Sequence, residues 1–333
     1  MRDRILEKLF PHRAYKREYY EHLYFQHRSF DVKGLTTQGV YTLDLEKVFV
    51  DLALVPQRRQ RVSTDPIRPV SQTSVDGRHD FWDYLKADRE KGHKLVVLGP
   101  PGSGKTTLMK HAALKLASPL NDDIDKIPVL LFLRDHADAI VRNAAYSLID
   151  ALQDRLKLWD VEVPTEWFVT ALNKGHCLIM LDGLDEVADA GLRQQVVRWV
   201  QAQMKRFASN GFVITSRPFG YYNNPLQNVL LLEVRPFTLD QVRKFVHNWY
   251  LANEVMSAQR DDHGVRMAAK KGAEDLLWRL RQVPVLLDMA VNPLLLTMIA
   301  TVHRYRSSLP GRRVELYAEI CEVFLGKRQE ARG

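Results

Sequence analysis

Leu95-Val96-Val97-Leu98-Gly99-Pro100-Pro101-Gly102-Ser103-Gly104-Lys105-Thr106 decides the fold of this 333-residue chain. A short apolar run leads into a glycine-rich turn, and an amphipathic helical pattern follows over Leu108–Leu116. The segment Gly99–Thr106 fits G-x-x-x-x-G-K-[ST] between a strand and a helix, the context that this motif requires. Its glycines let several backbone N–H groups turn into one concavity suited to phosphate oxygens. Lys105 is expected to reach the β- and γ-phosphates of a nucleotide, and Thr106 to offer its hydroxyl to Mg²⁺. The expected nucleotide-binding residues are thus Gly99, Pro100, Pro101, Gly102, Ser103, Gly104, Lys105, Thr106 and Thr107.

Downstream of this turn the chain alternates short apolar runs with helical patterns. Leu95–Leu98, Val129–Leu133, Cys177–Leu181, Phe212–Thr215 and Val229–Glu233 read as strands covered on both faces. Ile140–Leu156 and Leu192–Phe207 read as connecting helices, and only the fourth and fifth strands lack a clear one between them. The pattern predicts an α/β fold: a P-loop core of five mostly parallel strands with flanking helices, followed by a small all-helical domain. Thr238-Leu239-Asp240-Gln241 is a capping box opening a helix to about Tyr250. Further helices are expected near Gly264–Gln282, Val285–Met289, Leu294–His303 and Arg312–Lys327. Upstream, residues 1–30 read as a helical, aromatic and basic lead-in. Gly39–Leu43 and Val48–Leu54 suggest a β-hairpin or edge strands, Gln57–Gly77 a loop, and Phe81–Glu90 a short helix. The expected domains are 1–77, 78–235 and 236–333.

The third apolar run ends in Leu181-Asp182-Gly183-Leu184-Asp185-Glu186. A carboxylate at the strand end, Asp182, suits a Mg²⁺ ion opposite the phosphate loop. A second one nearby, Asp185 or Glu186, can orient and deprotonate an attacking water. The fourth run ends in Thr215-Ser216-Arg217, where an arginine facing the terminal phosphate can distinguish ATP from ADP. The expected catalytic residues are Asp185, Glu186 and Arg217, and the expected metal ligands Thr106 and Asp182. Asn173-Lys174-Gly175-His176 lacks the final aspartate of a guanine-reading motif. The scattered histidines and the absence of H-E-x-x-H argue against a metal hydrolase. Asn121–Asp125 misses the spacing of a calcium loop and reads as a solvated turn.

Bulk composition is that of an ordinary globular protein, 46% apolar and 26% charged. The two cysteines, Cys177 and Cys321, are too few for a disulfide framework and fit a reducing, cytoplasmic setting. Cys177 sits in an apolar run and reads as a small core residue. The start, Met1-Arg2-Asp3-Arg4, lacks the apolar core expected of a signal peptide. The apolar stretch Val283–Val302 contains Pro284, Asp288, Asn292 and Pro293, and reads as two buried helices rather than a membrane span. The net charge is +8, with basic residues early (Arg13, Lys16, Arg17, Arg58, Arg59, Arg61) and late (Arg304, Arg306, Arg312, Arg313, Lys327, Arg328, Arg332). That charge suits an anionic nucleotide. It would also suit nucleic acid or another acidic partner, for which no recognition motif is present.

In combination these segments resemble a NACHT-type NTPase of the STAND class, in its bacterial form. The phosphate loop Gly99–Thr106, the acidic strand end Leu178–Glu186 and Thr215-Ser216-Arg217-Pro218 carry the resemblance. Val291-Asn292-Pro293-Leu294 is similar to the family's helical-domain motif, whose proline packs near adenine, so Pro293 joins the expected nucleotide contacts. The resemblance implies ATP and ADP as ligands with Mg²⁺, slow hydrolysis, and a signalling switch that self-associates or meets a protein partner. In bacterial relatives the setting is defence against phage. It also implies a winged-helix domain beginning about where this sequence ends. The competing readings are a DNA-associated AAA+-like ATPase, supported by the basic charge alone, and a scaffold that nucleotide merely stabilises.

Overall fold

Five apolar runs form strands because each is sequestered on both faces, as a parallel sheet demands. The computed structural model describes residues 11–30, 43–57, 79–86, 92–120, 124–187, 189–306 and 309–330. Strands β2 (Lys94–Leu98), β3 (Ile127–Phe132), β4 (Cys177–Asp182), β5 (Gly211–Ser216) and β6 (Leu230–Val234) are parallel neighbours in the order β6-β2-β5-β4-β3. Every residue of β3, β4 and β5 is buried. Cys177 is a core residue as expected, and burial pushes its thiol up to about 12.

A sixth strand, β1 (Leu54–Pro56), completes the sheet by pairing antiparallel with β6. Of the hairpin or edge strands expected over Gly39–Leu43 and Val48–Leu54, an edge strand is present among the described residues only from Leu54 onward. Leu45–Val48 is instead a helical turn capped by Asp44, whose carboxylate accepts the Glu46 N–H. Only Leu54 onward extends along the sheet edge, where Pro56 can sit without an N–H to donate. Residues 39–42 of the other expected strand lie outside the described residues, as do 1–10, most of the Gln57–Gly77 loop, the end of the Phe81–Glu90 helix and residues 121–123. Arg58, Arg59, Arg61 and Arg332 fall there too.

The helix expected over Ile140–Leu156 is two helices, Leu133–Arg142 and Leu148–Trp159. Asn143 accepts the Ala145 N–H through its side chain, and Ser147 with Asp150 forms a capping box that restarts the chain. The fourth and fifth parallel strands are bridged by a five-residue helix, Pro218–Tyr222, begun by a proline at its first position. The lead-in is helical over Pro11–His27 and closes the β3 side of the core. Buried Tyr19 donates its hydroxyl to the Pro128 carbonyl at 2.8 Å and packs against Trp159, Trp167 and Phe168. Such an aromatic contributes on the order of 2 kcal/mol by burial.

After β6 the chain is helical: Leu239–Ala258, His263–Gln282, Pro284–Ala290, Pro293–Arg306 and Arg313–Glu330. The Thr238–Gln241 capping box forms as expected. The Val283–Val302 stretch is split at its prolines, and no described helix is long and apolar enough to cross a membrane. Tyr250, His303, Asp275 and Arg279 form a chain of hydrogen bonds across three of these helices, at 2.6, 2.8 and 3.0 Å. It fixes the helix Pro293–Arg306, whose first turn meets the phosphate loop. Several of the basic residues noted in the sequence are spent on similar contacts. Arg304, Arg306 and Arg312 pair with Glu254, Glu322 and Glu315, and Lys16 and Arg17 with Asp125 and Glu21.

His27, at the end of the lead-in helix, is 3% exposed. Burial, with Arg155 and Lys110 nearby, pushes its imidazole down to about 3. The folded protein therefore keeps His27 neutral, while an unfolded histidine takes up a proton below about pH 6.5. Stability is lost as pH falls through that range, by roughly 2 kcal/mol at pH 5 from this residue. Urea denaturation at pH 7 and pH 5 should show this loss in the wild type and a correspondingly smaller one in His27→Phe. Equal losses in both proteins would mean that His27 contributes nothing to the acid sensitivity.

Candidate functional site

The carboxyl ends of parallel strands form the crevice in which α/β proteins bind ligands. Here β5 lies between β2 and β4, so three sequence-distant turns meet there. Leu98 at the end of β2 is in register with Ser216 on β5, and Leu181 on β4 with Ile214. The phosphate loop, Thr215 and Asp182 are thereby side by side.

The loop after β2 turns through Gly102 and Gly104, both left-handed at φ +74° and +88°. Gly104 caps the helix Lys105–Ala117, whose first N–H groups and positive end face the concavity. At Gly102 a Cβ would lie 2.7 Å from Leu294 Cβ and 2.8 Å from Asn292 Oδ1, so only glycine fits between the loop and the helical region. Lys105 Nζ donates to the Gly99 and Pro100 carbonyls at 2.8 and 3.1 Å, and lies 3.4 Å from Ser103 Oγ. Burial pushes its ammonium down to about 8, against the pull of Asp185, Asp182 and Glu186.

Asp182 is 2% exposed and held by two hydroxyls. Thr106 Oγ1 donates to one carboxylate oxygen at 2.7 Å and Thr215 Oγ1 to the other at 2.5 Å. Thr215 in turn accepts the Gly183 N–H at 2.9 Å, which fixes the direction in which its hydroxyl points. Burial raises the Asp182 pKa, and the two hydroxyl contacts oppose the rise. A threonine hydroxyl touching a buried carboxylate is a hard-oxygen donor pair of the kind Mg²⁺ takes with phosphates and water. The residues therefore fit the expected ion, which Thr106 and Asp182 would hold.

Gly183, left-handed at φ +81°, bends β4 into the turn Leu184–Glu186 and separates the next two carboxylates. Asp185 accepts the Arg217 backbone N–H at 2.8 Å and faces its Nε at 3.2 Å. The helix Pro218–Tyr222 presses on it so closely that a Cβ at Gly220 would sit 2.5 Å from Asp185 Cβ. Glu186 instead forms a short ion pair with Arg134. Sequence reasoning did not select Arg134. The signal was present: it lies two residues beyond β3, as Arg217 lies just beyond β5, and Phe132 is in register with Asp182.

A cavity of about 670 Å³ runs over these groups. It is lined by Pro101–Thr107, Asp182, Asp185, Glu186, Thr215, Arg217 and Arg134. Gly99 and Pro100 are not among its lining residues and act through the carbonyls that hold Lys105. Apolar side chains also line it, among them Phe49, Leu52, Phe237, Phe245, Pro293 and Leu294. Phe49 stacks on His111 with ring centroids 3.7 Å apart. Pro293 is among the residues that line the cavity. Its neighbour Asn292 makes the tighter connection: its amide donates to the Pro101 carbonyl at 3.0 Å, and the Leu294 N–H donates to the Gly102 carbonyl. His27, Arg155 and Trp159 line the cavity as well.

A phosphate loop, a buried carboxylate facing its threonine and an arginine on the intervening strand define a nucleotide-binding P-loop protein. Residues 93–253 match the model of the NACHT domain, consistent with a NACHT-domain NTPase. Among solved structures it is similar to Cdc6p from Pyrobaculum aerophilum (14% identity over 60% of each chain, TM-score 0.31). It is also similar to C. elegans PCH-2 (15% identity, 71% of this chain and 61% of that one, TM-score 0.32). A third is Drosophila ORC bound to DNA (14% identity, 85% of this chain and 78% of that one, TM-score 0.33). The chain spans about 60% of the length of the first two. No curated protein matches it.

Proposed function

We propose that this NACHT protein is an ATP-binding, slowly hydrolysing switch, held in its resting form by ADP. The observation that carries this reading is the contact of the helical region with the phosphate loop itself. Asn292 and Leu294 bond the Pro101 and Gly102 carbonyls, so any change in the loop on binding a nucleotide is felt by the helix Pro293–Arg306. Two ligands sharing one site bias a conformation only through contacts that differ between them, and the γ-phosphate supplies these.

Thr106 and Asp182 would hold Mg²⁺, which when bound neutralises charge on the β- and γ-phosphates. Lys105 places its ammonium against the same phosphates, and the N-terminus of its helix receives their oxygens. Glu186 takes the proton from the attacking water as the new P–O bond forms and the bond to the β-phosphate oxygen breaks. Asp185 aligns Arg217, whose guanidinium reads the terminal phosphate. Both carboxylates beyond Asp182 are paired with arginines, which supports slow turnover. Preference for adenine, association with itself or a protein partner, and a cytoplasmic role in defence against phage complete the proposal on the family resemblance.

Mass spectrometry of the nucleotide that co-purifies with the protein tests the reading, together with steady-state ATP turnover. Retained ADP and turnover well below about 1 per second, the low end of ordinary enzymes, are expected. A nucleotide-free protein with turnover above that rate would be a freely exchanging ATPase and not a switch.

A further inference from the structure

Beyond its pairing with Glu186, Arg134 has no role in the function proposed above, yet it bridges two carboxylates at the phosphate site. Its Nη1 is on Glu186 and its Nε lies 3.4 Å from Asp135 Oδ1. The guanidinium rests on the Phe132 ring at 5.0 Å. Arg155 occupies the same ring at 5.2 Å and reaches Asp135 from the other side, with Nη1 at 3.6 Å. Two arginines and two acids thus form one row at the end of β3. The strand register, Phe132 beside Asp182, sets this row against the metal ligand, and Arg134 lines the same cavity as Lys105, Asp182 and Arg217.

We infer that Arg134 is a second arginine that reads the γ-phosphate, and that it exchanges Glu186 for that phosphate when ATP binds. This inference rests on Glu186 being the base of the reading above. Asp135 acts as the pivot: it keeps the Nε end while the Nη end swings from carboxylate to phosphate. A terminal phosphate carries more charge than a carboxylate and offers several oxygens to the planar fork of a guanidinium. It therefore outcompetes Glu186. ADP has no such group, so with ADP the arginine stays on Glu186 and masks the base. With ATP the same movement neutralises the phosphate and releases the base. Hydrolysis competence is coupled to the presence of its substrate through one side chain.

The test is a set of ATP and ADP affinities, read by calorimetry, for wild type, Arg134→Ala, Arg134→Lys, Glu186→Gln and the double variant Arg134→Ala/Glu186→Gln. Arg134→Ala should weaken ATP roughly 10- to 100-fold, the range of one charge-assisted contact, and leave ADP within about twofold. Arg134→Lys should recover part of that loss, since the charge is kept and the fork is not. Glu186→Gln should bind ATP several-fold more tightly than wild type, because the competitor for Arg134 has gone, with ADP unchanged. The double variant should lose that gain. An anchor serving only to hold Glu186 would leave all ATP-to-ADP ratios unchanged, and that result overturns the inference. Affinities do not depend on turnover, so a protein that binds both nucleotides without hydrolysing them still tests Arg134. Loss of nucleotide binding in the wild type would instead overturn the reading of the site as a whole.

Discussion

Lys105→Ala is expected to weaken both ATP and ADP by at least 100-fold. The Lys105 ammonium is the half-buried cation of the phosphate loop, and desolvation already holds it down to about 8. It is kept charged by Asp185, Asp182 and Glu186 and held in place by the Gly99 and Pro100 carbonyls. A charge-assisted contact to a phosphate is worth about 1.5–3 kcal/mol, and the lysine is expected to make more than one. Alanine removes these and also takes the lysine donor from the Gly99 and Pro100 carbonyls, of which Pro100's keeps the Ser103 N–H. The loss should fall on ADP as well as ATP, because the β-phosphate is common to both. Titration with a fluorescent nucleotide checks it, with thermal unfolding to show that the variant is folded. Affinity within tenfold of wild type would mean that nucleotide does not sit in this loop.

Glu186→Gln is expected to lower turnover by about 100- to 1,000-fold while ATP binding persists. Positioned general bases contribute 10²–10⁴-fold in rate, and glutamine keeps the shape of glutamate without its basicity. Asp185→Asn has a different expected outcome. Asp185 is occupied by the Arg217 main chain and guanidinium, so its loss should disturb the preference for ATP over ADP before it disturbs proton transfer. Single-turnover measurement with saturating ATP separates the two. Unchanged turnover in Glu186→Gln, with the rate lost in Asp185→Asn, would exchange the roles.

Much of the fold was legible because its signals are local. Each parallel strand is a run of about five buried apolar residues, and its ends were read to within about two residues. The Thr238–Gln241 cap could be named in advance because a hydroxyl and an amide three positions apart are sufficient to form it. Readings failed where neighbours outweighed local pattern. Val48–Leu54 alternates like a strand, but Asp44 caps a helical turn there and only Leu54–Pro56 finds a free edge on β6. The apolar periodicity of Ile140–Leu156 conceals a restart at Ser147, because the pattern continues in phase through the break.

The sequence by itself determined the phosphate loop, the acidic strand end and the arginine after β5, since each is a short motif with its chemistry in consecutive residues. It did not determine how those motifs are joined. Arg134 meets Glu186 across 52 positions and Asn292 meets Pro101 across 191. These contacts depend on β5 lying between β2 and β4, on Phe132 being in register with Asp182, and on a distant helix beginning at the phosphate loop. The register of strands and the docking of helices are set by burial over the whole molecule. For that reason only the tertiary structure decided which carboxylate each arginine holds and which helix bonds the phosphate loop.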